Sequence, residues 1–517
     1  MARIDIFETA CCYSVADIRA LESYAIEKQD IPAIRLMNRA GQAAFEAIAE
    51  SITESIAESK AEPTQLHVFC GGGNNGGDGF VVAGLAADAG WPVNLIDLSN
   101  PDKLSEEAIQ ARNFALQRLD SVSTEIPDLT NSSGVIVDAL LGIGFSGELR
   151  GVILQACCAI NQSWMPVFSL DTPSGVNADT GACAPDAVVA LTTISFIAAK
   201  RGMLTGAAEN CVGELIVDDL GLSDLDNSSA DFPELKPHPI ITEDSLEAVF
   251  PPRFANAHKG AYGHLLIVGG NLGMSGAVSL AAEAALTLGV GKISVATRQS
   301  SLAPLLSRVP EVMARQVDHY NDLKHLIDQC TAIVIGPGLG TDAWAEQMLL
   351  RVLSEDIPVV VDADAIRLIA AAIVKPTQDR ICFTPHPGEA ALVLNCSTAE
   401  IQEDRFKALS QLENAFSGHW LLKGNGSLLT NGEGPASLNR TGNPGMASGG
   451  MGDVLSGLIG SILAQGYGVQ ESAEAAVFIH GAAADIAAEY SGEISLRASE
   501  VIAAVPELLL SLDLSNV

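Results

Sequence analysis

Five polar side chains in the first half of the chain have the types and the placement of a ligand site. Each lies just after an apolar run that is typical of a buried strand: Asn75, Asp78, Asp138, Asp171 and Ser174. Because the carboxyl ends of parallel strands meet at one edge of a sheet, we expect the five to converge on one crevice. Their carboxylate, amide and hydroxyl oxygens suit an alkali or alkaline-earth cation better than zinc. Taken singly, each aspartate could instead cap a helix or a turn.

The glycine-rich segment at residues 71–79, GGGNNGGDG, lies between the first of these strands and a helical run that starts at Phe80. Its glycines let the backbone turn sharply and present several N–H groups to an anion. It lacks both the lysine of a Walker loop and the glycine spacing of the Rossmann G-x-G-x-x-G motif. The alternative is a turn in which the Asn and Asp side chains bind the backbone.

Residues 441–463, TGNPGMASGGMGDVLSGLIGSIL, are the most specific signal in the second half. The helix is predicted to begin at Gly452 and Asp453, which places the N–H groups of residues 449–452 at its positive end. Such donors stabilise a transferring phosphoryl group, and the Asp453 carboxylate can take the proton of an attacking hydroxyl. The alternative is an aspartate that only caps the helix.

Other loops in the second half also follow predicted strands. Two prolines hold His386 in a rigid loop, and a histidine held in this way is more often a ligand contact than a core residue. Lys423 is followed by two nearby glycines, so its turn can approach a phosphate closely. The glycines of residues 336–340 and the carboxylates of Asp362 and Asp364 end two further strands.

The elements that would position these residues form two blocks, in which strand-like apolar runs alternate with alanine-rich helical runs. Strands are predicted at residues 65–70, 93–98, 134–139, 166–170, 191–197, 214–217, 264–268, 292–296, 332–335, 358–361, 381–384 and 420–422. Helices are predicted at 15–28, where Ser14 and Asp17 form a start signal, and at 36–48. A polar linker at 221–243 separates the blocks. We therefore expect two three-layer α/β domains with parallel sheets.

Composition narrows the functional class. The chain has 517 residues, 48% of them hydrophobic, so it can form sizeable cores. With 29 Lys+Arg against 63 Asp+Glu, its net charge of −34 argues against a nucleic-acid or anionic-membrane partner. The 10 cysteines include no Cys-x-x-Cys pair, and no signal peptide or spanning segment is recognisable. These features predict a reduced, cytoplasmic protein.

The first block resembles a known family. GGGNNGGDG, VDALLGIGFSG and DTPSG, in that order, are similar to the Rossmann-like epimerase domain of the NAD(P)H-hydrate repair enzymes. The resemblance implies a potassium ion on Asn75, Asp138 and Ser174. Because Asp171 ends the neighbouring strand, next to the ring of the ligand and not its pyrophosphate, we expect Asp171 to carry out the proton transfer. The resemblance places the hydrated dinucleotide on Asn74, Asn75, Gly76, Gly77, Asp78, Gly142, Ile143, Gly144, Phe145, Ser146, Gly147, Glu148 and Asp171. Ile143 and Thr172 depart from the residues common in the family, but they remove no assigned ligand atom.

The second block resembles the ribokinase-like fold, and within it the ADP-dependent NAD(P)H-hydrate dehydratases. The resemblance is carried by HKG, GPGLG, DADA, TPHPGE, KGNGS and GMASGGMGDVLSG. It implies that ADP, with Mg²⁺, contacts Lys423, Gly424, Asn425, Gly426, Ser427 and Gly452. It also implies that the hydrate contacts Ala277, Gly338, His386 and Asp453, with Asp453 as the catalytic base. Ser427 stands where Thr is more usual and keeps the hydroxyl.

Together the resemblances imply a bifunctional enzyme that repairs hydrated NADH and NADPH. Residues 1–227 would interconvert the two C6 hydrates, and residues 228–517 would dehydrate the S form with ADP, giving NAD(P)H, AMP and phosphate. The expected partners are the hydrates NADHX and NADPHX, ADP, and further copies of the chain in a homo-oligomer. Two alternatives remain open: a ribokinase-like kinase that releases a stable phosphorylated alcohol, and an N-terminal half that binds a ligand without catalysis.

Overall fold

The computed structural model describes residues 4–5, 10–59, 65–223, 225, 228–247, 249–251, 253–374, 376, 379–432 and 434–512. The chain divides into two compact units, Met1–His238 and Pro239–Val517. Each unit has a largely parallel sheet with helices between successive strands, which confirms the predicted α/β class. Residue 227, where the predicted domain boundary falls, and residues 224 and 226 of the predicted linker lie outside the described residues.

The N-terminal unit is built on one eight-stranded sheet. The strands of the unit, of which all but β2 belong to this sheet, are β1 (Ile4–Asp5), β2 (Cys11–Cys12), β3 (Leu66–Cys70), β4 (Val93–Asp97), β5 (Val122–Ser123), β6 (Val135–Ala139), β7 (Val167–Leu170), β8 (Thr192–Phe196) and β9 (Glu214–Asp218). Its helices are α1 (Val15–Lys28), α2 (Ala33–Ser59), α3 (Asn74–Asp88), α4 (Glu106–Leu116), α5 (Gly151–Asn161) and α6 (Glu209–Val212). The sheet order is β1-β9-β8-β7-β6-β3-β4-β5. All neighbours are parallel except β1, which runs antiparallel to β9.

The C-terminal unit is built on a longer sheet. Its strands are β10 (His238–Ile241), β11 (His264–Val268), β12 (Lys292–Thr297), β13 (Met313–Gln316), β14 (Ala332–Ile335), β15 (Val359–Val361), β16 (Ile381–Phe383), β17 (His419–Leu422), β18 (Ser427–Asn431) and β19 (Gly434–Asn439). They lie in the order β13-β12-β11-β14-β15-β16-β17-β18-β19-β10. The run from β13 to β17 is parallel, whereas β17, β18 and β19 are antiparallel neighbours.

Twelve helices accompany this second sheet in the described part of the chain. They are α7 (Asp244–Glu247), α8 (Ser275–Thr287), α9 (Gln299–Arg308), α10 (Lys324–Ile327), α11 (Ala343–Leu353), α12 (Ala363–Ala370), α13 (Pro387–Leu394), α14 (Thr398–Glu403), α15 (Arg405–Ala415), α16 (Met451–Ala464), α17 (Val469–Ser491) and α18 (Ala498–Ser511). Helix α16 packs against α8 and α17, and buried side chains of these helices form one core with those of the central strands.

Every strand predicted from the sequence is present, with its ends within one residue of the predicted ones. These strands could be predicted because they are buried on both faces and therefore consist largely of apolar residues. For example, β3 (LHVFC) and β6 (VIVDA) are buried at every position. The strands that were not predicted, such as β13 (MARQ) and β19 (GPASLN), are partly exposed and lack such a run.

The helix starts were predicted with mixed success. The predicted capping of α1 is confirmed, because Ser14 Oγ accepts a hydrogen bond from Asp17 N while the Asp17 carboxylate accepts one from Ser14 N. The prediction for the 71–79 segment was wrong in its second half. Helix α3 begins at Asn74 instead of Phe80, so residues 74–79 form its first turns.

No helix in the ranges described above combines the length and the apolar character needed to cross a membrane.

Candidate active sites in the two units

The N-terminal unit contains a cavity of about 620 Å³ at the carboxyl end of its parallel strands. The predicted ligand residues that line this cavity are Asn74, Asn75, Asp78, Gly142, Ile143, Gly144, Phe145, Ser146, Glu148 and Asp171. The predicted residues Gly76, Gly77 and Gly147 do not line it. Gly76 and Gly77 are needed for packing, because a Cβ atom would lie 2.1 Å from Gly71 O in one case and 2.5 Å from Met37 Cε in the other.

The glycine loop of residues 71–73 ends at the N-terminus of α3. Gly73 is the N-cap, with an extended backbone and no side chain to satisfy the first N–H groups of the helix. Both Gly73 and Asn74 line the cavity. Because the first N–H groups of a helix have no partners within the helix, this end of α3 offers donors and a positive dipole to a ligand in the cavity.

Asn75 is held by two backbone carbonyls. Its Nδ2 donates to Leu141 O at 2.7 Å and to Leu170 O at 3.0 Å, and this pair of bonds fixes the orientation of the amide. The opposite atom, Asn75 Oδ1, is buried and has no hydrogen-bond partner. An oxygen that is buried without a donor is costly, and a bound cation would relieve that cost.

Asp138 lies fully buried near the end of β6 and is not among the residues that line the cavity. Its two oxygens accept hydrogen bonds from Ser174 Oγ (2.6 Å), Ser174 N (2.9 Å), Ser169 Oγ (2.9 Å) and Leu140 N (3.2 Å). Burial raises the pKa of Asp138, and these hydrogen bonds oppose that rise. Ser174 Oγ also accepts a bond from Leu141 N, and Leu141 O binds Asn75. The three predicted cation ligands therefore belong to one connected cluster.

The side-chain oxygens of Asn75, Asp138 and Ser174 are suitable ligands for an alkali cation. All candidate ligand atoms of this cluster are oxygens, Asp138 supplies a negative charge, and Asn75 Oδ1 lacks a donor. A large, weakly hydrated cation suits such a set.

Asp171 follows β7 in a left-handed backbone conformation, with φ = +62°. Its Oδ1 accepts a hydrogen bond from the ammonium of Lys200, which is fully buried. Lys200 Nζ also donates to Ser195 Oγ and to Phe196 O, each at 2.8 Å. Lys200 was not predicted from the sequence as a site residue. The signal that could have revealed it is a lysine directly after the apolar run of residues 194–199.

Further carboxyl groups face Asp171 in this cavity. Burial raises the pKa of Asp78 well above its ordinary value, and the charges of Asp171 and Glu22 raise it further, while Lys200 acts in the opposite direction. Burial, followed by the charge of Asp171, also raises the pKa of Glu22 on α1. The cavity therefore combines the ion-paired carboxylate of Asp171 with two neighbouring carboxyl groups whose pKa values are raised above the ordinary ones. Glu22 was likewise not predicted from the sequence.

In the C-terminal unit, Asp453 lies in the first turn of α16. The helix starts at Met451 after Gly450, whose φ of +96° is a left-handed conformation that favours glycine. Burial raises the pKa of Asp453 to about 7, with a further contribution from Asp362, while Lys423 lowers it. Its carboxyl can thus gain or lose a proton near neutral pH, which a general base requires.

Lys423 lies against the start of α16. Its Nζ donates to Asp362 Oδ1 at 2.8 Å, and a Cβ atom on Gly452 would be 3.2 Å from Nζ. Asp362 also accepts hydrogen bonds from Thr384 Oγ1 and Ser456 Oγ. Burial alone would raise the pKa of Asp362, but Lys423 and these hydroxyls hold it below the ordinary value. For Lys423, burial acts to lower the pKa, and the neighbouring carboxylates, Asp362 first, raise it above the ordinary value.

The rest of the predicted nucleotide loop, residues 424–427, turns through two left-handed glycines, Gly424 at φ = +139° and Gly426 at φ = +60°. Ser427 Oγ donates to Gly424 O at 2.9 Å and closes the turn. Beneath the loop, the fully buried Arg405 donates to Leu422 O, Lys423 O and Gly426 O. Arg405 thus holds the loop in place, a role that was not predicted from the sequence.

The predicted hydrate contacts come from three further elements. Gly338 has φ = +55°, and a Cβ atom there would lie 3.1 Å from Ala277 Cβ, so these two residues are neighbours. His386 is the N-cap of α13, and its Nδ1 accepts hydrogen bonds from Gly388 N and Glu389 N. The His386 side chain is 56% exposed.

Asp364, at the start of α12, also lies near Asp453. Gly340 N donates a hydrogen bond to its carboxylate, and the charge of Asp364 contributes to the raised pKa of Asp453.

Comparisons with known proteins agree with this two-part organisation. Residues 265–507 match the family described as NAD(P)H-hydrate dehydratase, and residues 33–202 match the family described as YjeF-related protein N-terminus. A "Bifunctional NAD(P)H-hydrate repair enzyme Nnr" of Coxiella burnetii is 42% identical over 491 residues, covering 95% of this chain and 97% of that protein. The protein of the same name from Escherichia coli is 38% identical, covering 95% of this chain and 93% of that one.

Among solved structures, an ADP/ATP-dependent NAD(P)H-hydrate dehydratase from Bacillus subtilis, co-crystallised with ATP/Mg²⁺, is 30% identical. It covers 53% of this chain and 99% of its own length, with a TM-score of 0.49. The sequence identities to the Coxiella burnetii and Escherichia coli proteins, each over 95% of this chain, confirm the resemblance inferred from the motifs. The chain belongs to the family of bifunctional NAD(P)H-hydrate repair enzymes.

Proposed function

We propose that the N-terminal unit interconverts the R and S hydrates of NADH and NADPH at C6, and that the C-terminal unit dehydrates the S hydrate with ADP. We assign these activities to residues 1–227 and 228–517. The observation that carries the proposal is Asp453, a mostly buried carboxyl in the first turn of α16 whose pKa is raised to about 7. It combines a proton acceptor with the helix N–H groups that a phosphoryl transfer needs.

The dehydration proceeds in two steps. The C6 hydroxyl attacks the β-phosphorus of ADP, Asp453 takes the hydroxyl proton, and AMP leaves. The C6–O bond of the phosphorylated hydrate then breaks and releases phosphate, while loss of a proton from C5 restores the 5,6 double bond. The free N–H groups at the start of α16 donate to the oxygens of the transferring phosphoryl group, where negative charge accumulates.

We place ADP, as its Mg²⁺ complex, on Lys423 to Ser427 and on Gly452. Gly452 has no side chain, so a phosphate can approach the Lys423 ammonium and the N-terminus of α16 at the same point. The hydrate would then lie between Asp453 and the wall made by Ala277, Gly338 and His386. Asp362 keeps Lys423 oriented toward this point through the 2.8 Å ion pair.

In the N-terminal unit we propose that Asp171 takes the proton of the C6 hydroxyl as the C6–N1 bond breaks, which leaves an open-chain aldehyde and a protonated N1. After rotation about the C5–C6 bond, N1 attacks the opposite face of the carbonyl and loses its proton, the C6–N1 bond re-forms, and the C6 oxygen regains a proton from Asp171. The contact with the Lys200 ammonium fixes the orientation of the Asp171 carboxylate. Asn75, Asp138 and Ser174 would hold a potassium ion, which when bound supplies a positive charge beneath the dinucleotide. The unpartnered Asn75 Oδ1 supports this assignment.

The test is to incubate the purified chain with a mixture of R and S hydrates, with and without ADP and Mg²⁺. Full recovery of the reduced-nicotinamide absorbance, together with AMP and phosphate, is expected only with ADP. Recovery of half of a racemic mixture would show dehydration without epimerisation. A stable phosphorylated product would instead identify a small-molecule kinase.

We also propose that the enzyme acts in the cytoplasm as a homo-oligomer. Light scattering coupled to size-exclusion chromatography measures the assembly directly, and a monomer at micromolar concentration would contradict the second part.

A further inference from the structure

Charges of both signs line the N-terminal cavity, and carboxyl groups outnumber cations. The carboxyl groups are Glu22, Asp78, Glu107, Glu148 and Asp171, and the cations are Arg19 and Arg150. A dinucleotide hydrate carries negative charge on its diphosphate, and NADPHX carries more on its 2′-phosphate. These phosphates need cations or N–H groups at the points where they bind, because the carboxylates would otherwise repel them.

The two arginines differ in what they contact. Arg150 Nη2 lies 3.2 Å from Glu148 Oε2, so Arg150 already has a partner. Arg19 projects from α1, and among the described residues its guanidinium has neither a hydrogen bond nor an ion pair. It lies instead beside the glycine loop: a Cβ atom on Gly144 would be 3.7 Å from Arg19 Nη2 and would meet nothing else within 4 Å.

The charge of Arg19 also reaches the interior of the cavity. Burial and the charge of Asp171 raise the pKa of Glu22, one turn further along α1, and Arg19 opposes this rise. The absence of a side chain at Gly144 leaves the space between the loop backbone and the guanidinium open. A group that fills this space would meet Arg19 on one side and the backbone of residues 142–148 on the other.

We infer that Arg19 binds a phosphate group of the dinucleotide hydrate against the loop of residues 142–148. This inference rests on the proposed epimerase function. A planar guanidinium can donate two parallel hydrogen bonds to phosphate oxygens, which a lysine cannot do. The N-terminus of α3 at Gly73 and Asn74 lines the same cavity and adds a second positive contribution. Either the diphosphate or the 2′-phosphate could supply the phosphate oxygens.

The experiment compares Arg19→Ala, Arg19→Lys and the control Arg35→Ala with the wild type. Arg35 is exposed on α2 and does not line the cavity. Each protein receives the R hydrate of NADH or of NADPH without ADP, and chromatography follows the approach to the R/S equilibrium, corrected for the spontaneous rate. We expect the KM of Arg19→Ala to rise about tenfold or more with kcat within about twofold of wild type. Arg19→Lys should be intermediate, and Arg35→Ala unchanged.

The two substrates identify which phosphate is bound. An equal rise in KM for both hydrates assigns Arg19 to the diphosphate, and a rise for NADPHX alone assigns it to the 2′-phosphate. An unchanged KM for both, or a loss confined to kcat, overturns the inference. Thermal unfolding of each variant, compared with that of the wild type, measures whether the N-terminal unit is folded. If Arg19→Ala unfolds at a lower temperature than the wild type, Arg19→Gln is judged by the same KM criterion. A wild type that fails to epimerise overturns the proposed function instead.

Discussion

The ammonium of Lys423 and the carboxylate of Asp362 form a 2.8 Å ion pair, and the two residues lie 61 positions apart in the sequence. Asp362 is 1% exposed, and two hydroxyls donate to it as well. The pair places the Lys423 ammonium against Gly452, at the start of the helix that carries Asp453. The buried Asp362 carboxylate therefore fixes the position of the Lys423 ammonium at the proposed site of phosphoryl transfer.

The first prediction concerns Asp453. Asp453→Asn removes the proton acceptor but leaves the shape and the N–H groups at the start of α16. We expect turnover in the ADP-dependent reaction to fall on the order of 10²-fold or more, with ADP affinity near normal. Single-turnover rates and ADP titration by calorimetry measure the two quantities separately. Turnover comparable to wild type would remove Asp453 from the mechanism.

The second prediction concerns pH. A general base acts when it is ionised, and the pKa of Asp453 is raised to about 7. The kcat/KM of S-hydrate dehydration should therefore fall as pH decreases through about 7 and reach a plateau above it. The epimerisation measured without ADP is the control, because it does not use Asp453. A dehydration profile that stays flat between pH 5.5 and 8.5 would contradict the assignment of the pKa of about 7.

The third prediction separates the two roles of Lys423. Lys423→Ala leaves the charge of Asp362 buried without its partner, which should lower the free energy of unfolding by about 3–5 kcal/mol and also weaken ADP binding. Adding Asp362→Asn removes the unpaired charge, so the double variant should regain much of the stability but not the ADP affinity. Denaturant unfolding and ADP titration give the two values. Recovery of ADP affinity in the double variant would show that Lys423 does not contact the nucleotide.

The fourth prediction concerns Asp138 and potassium. Asp138→Ala removes the charge of the proposed ion site and four hydrogen bonds within it. Epimerisation should be lost, while ADP-driven dehydration of the S hydrate should continue because it belongs to the other unit. Wild-type epimerisation should also fall when potassium is replaced by a bulky organic cation. A joint loss of both activities in the variant, or full epimerisation without potassium, would refute this division of roles.

Some of the proposed site could be predicted from short stretches of sequence. Ser14 and Asp17 identify the start of α1 because both partners of the capping box lie within one turn. Asp453 could likewise be placed at a helix start, since the glycines before it and the apolar helix after it are contiguous. The start of α3 was misplaced by the same reasoning, because Asn and Gly disfavour a helix locally. Packing of Gly76 and Gly77 against residue 71 and residue 37 outweighs that preference.

The sequence alone determined the alternation of buried strands and helices, and hence that Asn75, Asp138 and Asp171 lie near one sheet edge. This information is local, because an apolar run buried on both faces is visible without its neighbours. Only the tertiary structure decided which groups pair at this edge and at the edge of the second sheet. Lys200 meets Asp171, Lys423 meets Asp362, and Asn75 Oδ1 is left without a donor. Each of these contacts depends on the strand order and on the side-chain directions in three dimensions. The energetic cost of burying a charge or a polar atom is set by the partners that the fold places beside it.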